Sequence, residues 1–324
     1  MPRILVFGAT GYLGSKITGL LVQSGQHEVY GIARSNEKAL DLARNEIKPV
    51  VCQDPANDPE PYLTTICTRS IDIVVDVSGA NQESFGLLKT LKQVGQERLD
   101  LYQSCGVRGP KLGFIYCSGT WVHGSSNERV TDLDLVGSGA ATPPEELVAW
   151  RVGLEHAVLN SNDSLDVMII RPALIYGRAS TIWSSFITPI LDAAKNRDHS
   201  PIDIPLDQNS RPGLIHVDDA ATAFQKGVEK LPLIAGAGVY PVFDLVTSQE
   251  GMREIFDSLA VAWGYEGALK LVGYGENLFA KAMSATFRGS SARAQLLLDW
   301  QPRRLRGFVK DMDIYAAAFA AHSS

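Results

Sequence analysis

A strand pattern that runs directly into three evenly spaced glycines opens this chain and limits what it can fold into. Residues 4–7 are apolar, Gly8, Gly11 and Gly14 follow, and a helical pattern begins beside them. Glycine lets an anion approach backbone amides that a Cβ would cover, and the helix N-terminus adds unpaired N–H groups. The pattern indicates either a turn that binds a dinucleotide pyrophosphate, which we predict, or a turn that serves packing alone. The residues predicted to bind are Gly8, Thr10, Gly11, Tyr12, Leu13 and Gly14.

The composition narrows the class of protein further. The 324 residues are 45% hydrophobic and carry a formal net charge of −6, so the chain can bury a full core but offers nucleic acid no basic surface. It has no apolar run near the roughly 18 residues of a membrane span, and a first strand near residue 3 leaves no room for a signal peptide. The four cysteines form no C-x-x-C pair, and the six histidines form no ligand pattern. We expect a cytoplasmic protein with reduced thiols, no metal site and a small-molecule substrate.

Strand-like apolar runs alternate with helical stretches over the first half of the chain. We predict strands at 4–7, 27–33, 50–52, 71–77, 112–117 and 166–170, with helices at 11–24, 37–46, 59–68, 83–102 and 143–160. This alternation is typical of an α/β fold, a Rossmann-type doubly wound parallel sheet with its ligand at the carboxyl ends of the strands. We assign residues 1–178 to a dinucleotide-binding domain. Residues 179–324 are assigned mainly to a smaller C-terminal α/β substrate-binding domain, some segments of which return to the first.

The end of the second predicted strand selects between the two nicotinamide dinucleotides. It reads YGIARS at 30–35, with no carboxylate to bind a ribose 2′-hydroxyl. Arg34 can bind a 2′-phosphate and Ser35 adds a hydroxyl, so we predict NADP(H) rather than NAD(H); otherwise Arg34 is a solvated loop charge. Asp54 is either a ligand of the adenine amino group or a turn residue beside a proline. Ser78 and Gly79 form either the floor of the ribose and pyrophosphate site or an ordinary turn.

Five motifs, in order along the chain, carry a resemblance to a known family. They are GATGYLG at 8–14, YCSGTWVHG at 116–124, RPALIYG at 171–177, HVDD at 216–219 and LDWQP at 298–302. The chain resembles an extended short-chain dehydrogenase/reductase of the NAD-dependent epimerase/dehydratase family. The resemblance implies a Rossmann sheet with a smaller C-terminal substrate domain. It is also compatible with a homodimer that forms through the predicted helices at 83–102 and 145–160.

The chain departs from this family at its catalytic helix. In the family, a Tyr-x-x-x-Lys pair transfers a proton to or from the substrate oxygen, with a Ser or Thr beside it. Aligned on Glu155, the helix has Leu147 at the tyrosine position and Arg151 at the lysine position, and Gly119 stands at the serine position. Leucine transfers no proton, whereas Arg151 can still hydrogen-bond a ribose. Candidates for the missing role are Ser118, Thr120, His123 and Tyr176, the last two with structural alternatives, and then Tyr116, Glu145, Glu146 and His156.

Large side chains near the predicted cleft indicate the kind of substrate. Four of them fall in segments that border the cleft: Trp121, Trp150, Trp183 and Phe186. The alternative is that the tryptophans are ordinary core residues. Arg211 could bind an anionic group of the substrate. We predict an NADP-dependent oxidoreductase, or a related isomerase or lyase, that acts on a small aromatic or terpenoid-like carbonyl compound. The missing tyrosine supports a second hypothesis, in which a cyclase, isomerase or nucleotide-sensing regulator binds NADP(H) without hydride transfer.

Overall fold

A parallel sheet lies at the centre of the molecule, for which a computed structural model describes residues 1–79 and 83–323. The strands in these ranges are β1 (Arg3–Phe7), β2 (Glu28–Ala33), β3 (Lys48–Val51), β4 (Ile73–Asp76), β5 (Leu112–Cys117), β6 (Ser126–Arg129), β7 (Leu165–Pro172), β8 (Leu174–Tyr176), β9 (Ile202–Ile204), β10 (Gly213–His216), β11 (Val242–Leu245), β12 (Ser248–Gln249), β13 (Leu269–Leu271) and β14 (Phe287–Arg288). Seven of them form one sheet in the order β11-β7-β5-β4-β1-β2-β3. Every strand pair in this sheet is parallel.

Helices cover both faces of this sheet. In the described ranges they are α1 (Gly14–Gln23), α2 (Asn36–Arg44), α3 (Glu60–Thr68), α4 (Ser84–Ser104), α5 (Trp150–Leu159), α6 (Ser184–Asn196), α7 (Val217–Gly236), α8 (Met252–Trp263), α9 (Leu278–Met283), α10 (Ala292–Leu297) and α11 (Met312–His322). One hydrophobic cluster joins the sheet to α1, α2 and α7, and another joins it to α3, α4 and α5. Burial on both faces explains why the strands read as continuous apolar runs. The predicted doubly wound Rossmann-type fold is confirmed.

The strand order reverses beside β1, which creates a crevice at one edge of the sheet. The chain passes from β1 outward to β2 and β3, and β4 then pairs with the other side of β1. The segments that follow β1 and β4 therefore diverge, and ligands of such sheets bind between them at the carboxyl ends of the strands. Gly8 follows β1 and Ser78 follows shortly after β4, so both lie at this switch point.

The later part of the chain builds a third hydrophobic cluster. It includes buried side chains from α6, α8, α9 and α11, such as Ile190, Phe256, Met283 and Phe319. Three small sheets accompany it, in the orders β12-β10-β8, β13-β9 and β14-β6. β11 comes from the same part of the chain but pairs with β7 in the central sheet. In the two described ranges, every helix is too short or too polar to cross a bilayer.

Several predicted elements differ from the structure. α1 begins at Gly14 rather than at residue 11, because the intervening residues form the glycine turn. The helix predicted at 143–160 is wrong in its first part: Glu145 is extended, at φ −58° and ψ 133°, a 3-10 turn follows at Glu146–Val148, and α5 begins only at Trp150. Between the strand predicted at 112–117 and the helix predicted at 143–160, where no element was predicted, the structure contains β6, which pairs with the remote β14. The unpredicted strands β8 and β10 are three and four residues long, too short for a recognisable sequence pattern.

Candidate functional site

The turn between β1 and α1 has a shape that only glycine permits. Gly8 has φ +79°, and a Cβ there would lie 2.5 Å from the Val77 carbonyl oxygen. A Cβ on Gly14 would lie 2.0 Å from the Gly8 carbonyl oxygen, so α1 packs directly on the end of β1. The Gly11 amide donates to the Gly8 carbonyl at 2.9 Å. Gly8 and Gly14 therefore serve close packing, and the same absence of side chains leaves the turn open to a ligand.

A cavity of about 260 Å³ lies along this turn at the ends of β1, β2 and β4. Of the predicted cofactor residues it is lined by Gly8, Thr10, Gly11, Arg34 and Ser78. Its wall also includes Phe7, Ile32, Lys38, Pro55, Ala56, Glu83, Ser84 and Leu87. The cavity follows the path that a dinucleotide takes over the switch point of a doubly wound sheet.

Two of the predicted turn residues have other roles. The Tyr12 hydroxyl donates to the Gly177 carbonyl oxygen, in the segment that follows β8. Burial raises the pKa of Tyr12, so the hydroxyl stays protonated as a donor. Leu13 is buried in the core cluster between the sheet and α1. Tyr12 and Leu13 therefore secure the turn on either side, and their side chains are not part of the cavity wall.

The end of β2 presents two cations to the cavity. Arg34 and Lys38 are both exposed and both line it. Ser35, predicted to bind the cofactor, instead caps α2, because its hydroxyl accepts a hydrogen bond from the Lys38 amide at 3.2 Å. Sequence reasoning missed Lys38, although its spacing of four residues from Arg34 at a helix start was the available signal.

Asp54 is a turn residue in the structure. Its carboxylate accepts hydrogen bonds from the Asn57 amide nitrogen at 3.2 Å and from Asn57 Nδ2 at 2.8 Å. These bonds to Asn57 lower the pKa of Asp54. The adjacent Pro55 and Ala56 line the cavity, whereas Asp54 itself is absent from its wall. Of the two alternatives predicted from the sequence, an adenine ligand or a turn residue, the turn residue accounts for the hydrogen bonds of Asp54.

A buried carboxyl supports the floor of the cavity after β4. Asp76 is 2% exposed and accepts hydrogen bonds from the Ser78 amide at 3.0 Å and the Ser78 hydroxyl at 2.6 Å. Burial raises the pKa of Asp76, while the Ser78 bonds and the charge of Arg151 act in the opposite direction. Gly79 has φ +99°, which an L residue rarely adopts. Asp76 therefore orients Ser78 toward the ligand cavity.

Arg151 stands at the lysine position of the family's motif, and its side chain lies beside Gly119, which stands at the serine position. Its Nη1 would lie 3.5 Å from a Cβ on Gly119, so the guanidinium occupies the space next to the missing serine side chain. Arg151 Nε, Ser118 Oγ and Tyr116 Oη are buried and have no hydrogen-bond partner among residues 1–79 and 83–323. Buried polar atoms of native proteins normally have partners, and such orphans are typical of ligand sites. Thr120, also predicted as catalytic, is 5% exposed in the adjoining 3-10 helix Thr120–His123.

Two other predicted catalytic residues lie within the protein core. His123 is 3% exposed, with Nε2 2.8 Å from an Asp244 oxygen and 3.3 Å from Arg171 Nη1. Tyr176 is fully buried, stacks on Phe308 at 4.6 Å between ring centroids, and has its pKa raised by burial. Both side chains are almost completely shielded from solvent. The structure thus supports the structural alternative for both.

The ion-pair network around His123 fixes α5 to the sheet. Arg171 donates to both carboxylate oxygens of Glu155 on α5, at 3.0 and 2.5 Å, and its Nη1 lies 3.5 Å from Asp244 on β11. Burial alone would lower the pKa of Arg171, but Glu155 and Asp244 outweigh it and the pKa is raised. Because Arg151 lies one turn before Glu155 on α5, this network also holds Arg151 in place.

The predicted substrate residues divide between the core and the cleft. Trp183 is fully buried and donates from Nε1 to the Ile175 carbonyl, so it is a core residue. Trp121 and Phe186 both contact Phe279 on α9, at 6.3 and 5.7 Å between ring centroids. Trp121 and Phe279 are partly exposed. Phe279 was missed because its contacts with Trp121 and Phe186 join distant parts of the chain, which no local pattern indicates.

The remaining two predicted substrate residues have distinct environments. Trp150 is partly buried at the start of α5, with its ring 5.7 Å from the Arg151 Cζ atom. It therefore supports Arg151 by a cation–π contact. Arg211 is exposed, and its backbone accepts from the Phe287 amide and donates to Thr286. In the described ranges, no group of three or more His, Cys, Asp or Glu side chains is placed to hold a metal ion.

Several solved structures with the same fold are complexes with NAD. The chain is similar to dTDP-glucose 4,6-dehydratase from Bacillus anthracis str. Ames in complex with NAD, with a TM-score of 0.71 and 15% identity over 99% of this chain and 97% of that one. It is also similar to UDP-glucose-4-epimerase from Stenotrophomonas maltophila with bound NAD and formylated UDP-arabinopyranose, at a TM-score of 0.69 and 16% identity over 100% of both chains. A third is UDP-glucuronic acid 4-epimerase from Bacillus cereus in complex with NAD, at a TM-score of 0.67 and 16% identity over 99% of each chain.

The fold and the glycine turn define a dinucleotide-binding protein of the Rossmann class. The model of the NAD dependent epimerase/dehydratase family matches residues 4–236, more than half of the chain. The protein therefore belongs to this family of enzymes, as the five motifs predicted. It has no match among curated proteins.

Proposed function

We propose that the protein is an NADP(H)-dependent oxidoreductase, or a related isomerase or lyase, that acts on a small aromatic or terpenoid-like carbonyl compound. The observation that carries the proposal is the pair of cations, Arg34 and Lys38, on the wall of the nucleotide cavity. A 2′-phosphate is the part of NADP(H) that such a pair would bind, and β2 ends without a carboxylate to select NAD. The similar dehydratase and epimerases contain NAD, so the preference for NADP(H) rests on Arg34 and Lys38 alone.

The chain offers matching groups for each part of the cofactor. The side-chain-free turn at Gly8 and Gly11 fits the pyrophosphate, and Ser78 fits the adjacent ribose. Arg151, with its unpartnered buried Nε, fits a hydrogen bond to the nicotinamide ribose. When bound, the nicotinamide supplies or accepts a hydride equivalent.

Arg151 would replace the missing serine as the group that polarises the substrate. Its Nη1 lies beside Gly119, where the family has a hydroxyl that hydrogen-bonds the substrate oxygen. A guanidinium stays protonated, so Arg151 can stabilise developing negative charge on that oxygen but cannot give up a proton. The reaction of this chain therefore requires a separate proton donor.

The substrate preference rests on the aromatic side chains near this site. Trp121 and Phe279 are partly exposed, and Phe186 stacks behind them on Phe279. Aromatic walls of this kind bury apolar ligands and orient flat ones. We therefore propose an apolar carbonyl compound rather than a nucleotide sugar.

Fluorescence titration with NADPH and NADH tests the cofactor. We expect tighter binding of NADPH in the wild-type protein, and a loss of about 10- to 100-fold in NADPH affinity for Arg34→Ala, because one charge-assisted contact contributes roughly 1.5–3 kcal/mol. NADH affinity should not change. Arg44→Ala is the matched control, since Arg44 is an exposed arginine at the end of α2 that pairs with Asp41. Equal affinities for NADPH and NADH in the wild-type protein would refute the proposed preference.

A second function is favoured by Leu147, which stands at the tyrosine position in the 3-10 turn and is 36% exposed. Under this alternative the protein binds NADP(H) and performs no redox step. Deuterium transfer from labelled NADPH to any accepted carbonyl substrate excludes it. Binding without transfer, together with reductase activity gained by Leu147→Tyr combined with Arg151→Lys, supports it.

A further inference from the structure

Glu145 is a buried carboxyl beside the position of the missing tyrosine. It immediately precedes the 3-10 turn that contains Leu147, and it is 8% exposed, whereas Glu146 and Leu147 are exposed. The sequence thus inserts an acidic side chain into the protein at a point where its neighbours face solvent. A buried carboxyl costs stability unless it is paired or has a function.

The backbone of Glu145 is tied to the segment that follows Gly119. Its amide donates to the Trp121 carbonyl at 3.0 Å, and Arg151 Nη1 lies beside Gly119 two residues earlier. Glu145 and Arg151 therefore flank the same short stretch of chain, which carries the family's substrate-oxygen site. α9 packs against the 3-10 turn from the other side and brings Phe279 against Trp121.

The Glu145 carboxyl has the environment of an acid that is kept protonated. Within residues 1–79 and 83–323, no protein group donates a hydrogen bond to its carboxylate, so the charged form depends on solvent alone. Burial raises the pKa of Glu145, and Lys281 on α9, the charged group that acts on it, lowers the pKa by less.

Five other candidates, namely Arg151, Ser118, Thr120, His123 and Tyr176, each lack either a transferable proton or access to a substrate. Arg151 stays charged, and the hydroxyls of Ser118 and Thr120 are too weakly acidic to donate unaided. His123 and Tyr176 are enclosed in the ion-pair network and the aromatic core. Glu145, in contrast to these five residues, combines a titratable proton with a backbone contact to the segment that follows Gly119.

We propose that Glu145 is the proton donor that takes the place of the missing tyrosine. The inference rests on the proposed function, in which the reduced nicotinamide dinucleotide provides the two electrons and the hydrogen for the carbonyl carbon. As the C=O π bond breaks, its electron pair moves to oxygen, where Arg151 stabilises the charge. The O–H bond of Glu145 then breaks, its proton joins the substrate oxygen, and a carboxylate remains. The products are an alcohol, the oxidised cofactor and ionised Glu145, which recovers its proton from water.

The sign of the pH dependence follows from this role. The donor must be neutral, so the rate of reduction should fall as the pH rises through the pKa of Glu145. Glu145→Gln keeps the shape of the side chain but has no acidic proton. We expect it to lower kcat by about 100-fold or more and to abolish this limb of the pH profile. Glu146→Gln is the matched control, since Glu146 is the exposed neighbour.

The test combines kinetics with a measurement that needs no turnover. The probe reaction is reduction of 4-nitrobenzaldehyde by NADPH, followed for the wild-type protein, Glu145→Gln and Glu146→Gln. Carbon-13 NMR titration of the glutamate carboxyls, assigned with the two variants, measures the pKa of each side chain directly. We expect Glu145 to titrate at higher pH than Glu146, and Glu145→Gln to bind NADPH with unchanged affinity.

Each result bears on a different part of the argument. A full rate for Glu145→Gln, or a Glu145 pKa equal to that of Glu146, overturns the role of Glu145 and leaves the proposed function intact. If Glu145→Gln loses NADPH affinity in proportion to its rate, Glu145 is a positioning residue and the proposal is wrong. If the wild-type protein binds NADPH but leaves the aldehyde unreduced, the proposed function fails first and the role of Glu145 fails with it.

Discussion

Replacement of Arg171 by methionine should expose how strongly the buried ion pairs hold the site together. Arg171 is 1% exposed, bonds Glu155 through two nitrogens, and lies 3.5 Å from Asp244. Methionine fills much of the same volume, so the change removes charge and hydrogen bonds rather than packing. Two carboxylates then remain buried without their counter-charge. Breaking a buried pair in this way costs about 3–5 kcal/mol.

This loss corresponds to a measurable change in melting temperature. An unfolding entropy of about 2.1 cal/mol/K per residue gives roughly 0.7 kcal/mol/K for a chain of 324 residues. The expected loss therefore lowers Tm by about 4–7 °C, measured by tryptophan fluorescence and checked by urea unfolding. The matched control is Arg44→Met, which removes an exposed pair with Asp41 and should cost less than about 1 kcal/mol.

The loss should also depend on pH, with a definite sign. In Arg171→Met, the carboxylates of Glu155 and Asp244 lose the guanidinium that they share, and burial without this counter-charge disfavours the ionised form of a carboxyl group. Such groups destabilise the folded state as the pH rises through the unfolded pKa, because ionisation is easier in the unfolded chain. The deficit should thus be larger at pH 8 than at pH 5. A deficit below 1 kcal/mol, or one that is equal at both values, would refute this account of the network.

Two further predictions concern the glycine turn and a buried histidine. Gly14→Ala should abolish NADPH binding and lower Tm, because its Cβ would lie 2.0 Å from a carbonyl oxygen. The control is Gly19→Ala on the same helix, whose Cβ meets nothing within 4 Å and which should stabilise the protein by about 0.5–1 kcal/mol. Equal effects of the two substitutions in thermal melts would contradict this. Burial lowers the pKa of His216 to about 4, so stability should fall by up to about 3 kcal/mol as the pH falls from 6.5 to 4. His216→Asn should flatten that slope, and an unchanged slope in urea titrations would assign it to other groups.

The central sheet was predictable because its determinants are local. Apolar runs separated by helical patterns identify parallel strands, and a glycine turn directly after the first strand marks the switch point. Arg34 lines the cavity, as its position directly after β2 predicts. These features depend on residues that are neighbours in sequence, so a pattern carries them.

The environments of His123 and Tyr176, two of the predicted catalytic candidates, depend on contacts between distant parts of the chain. His123 is held by Asp244, and Tyr176 is covered by Phe308, and no local pattern connects either pair. A histidine or tyrosine in a motif position therefore gives no sign that a remote element will enclose it. The burial of Glu145, in contrast, accompanies a local feature: an extended segment that follows two prolines and leads directly into the 3-10 turn.

The position of β11 limits how this enzyme can be recombined with its relatives. This strand comes from the later part of the chain, yet it forms an edge of the central sheet and carries Asp244, the partner of Arg171 and His123. A chimera joined near residue 178 would combine an acceptor sheet with a foreign edge strand. It would keep the buried side chains of Arg171 and His123 but replace Asp244, the carboxylate that pairs with both. Grafting a new later half therefore requires the strand and its aspartate to remain with the original sheet.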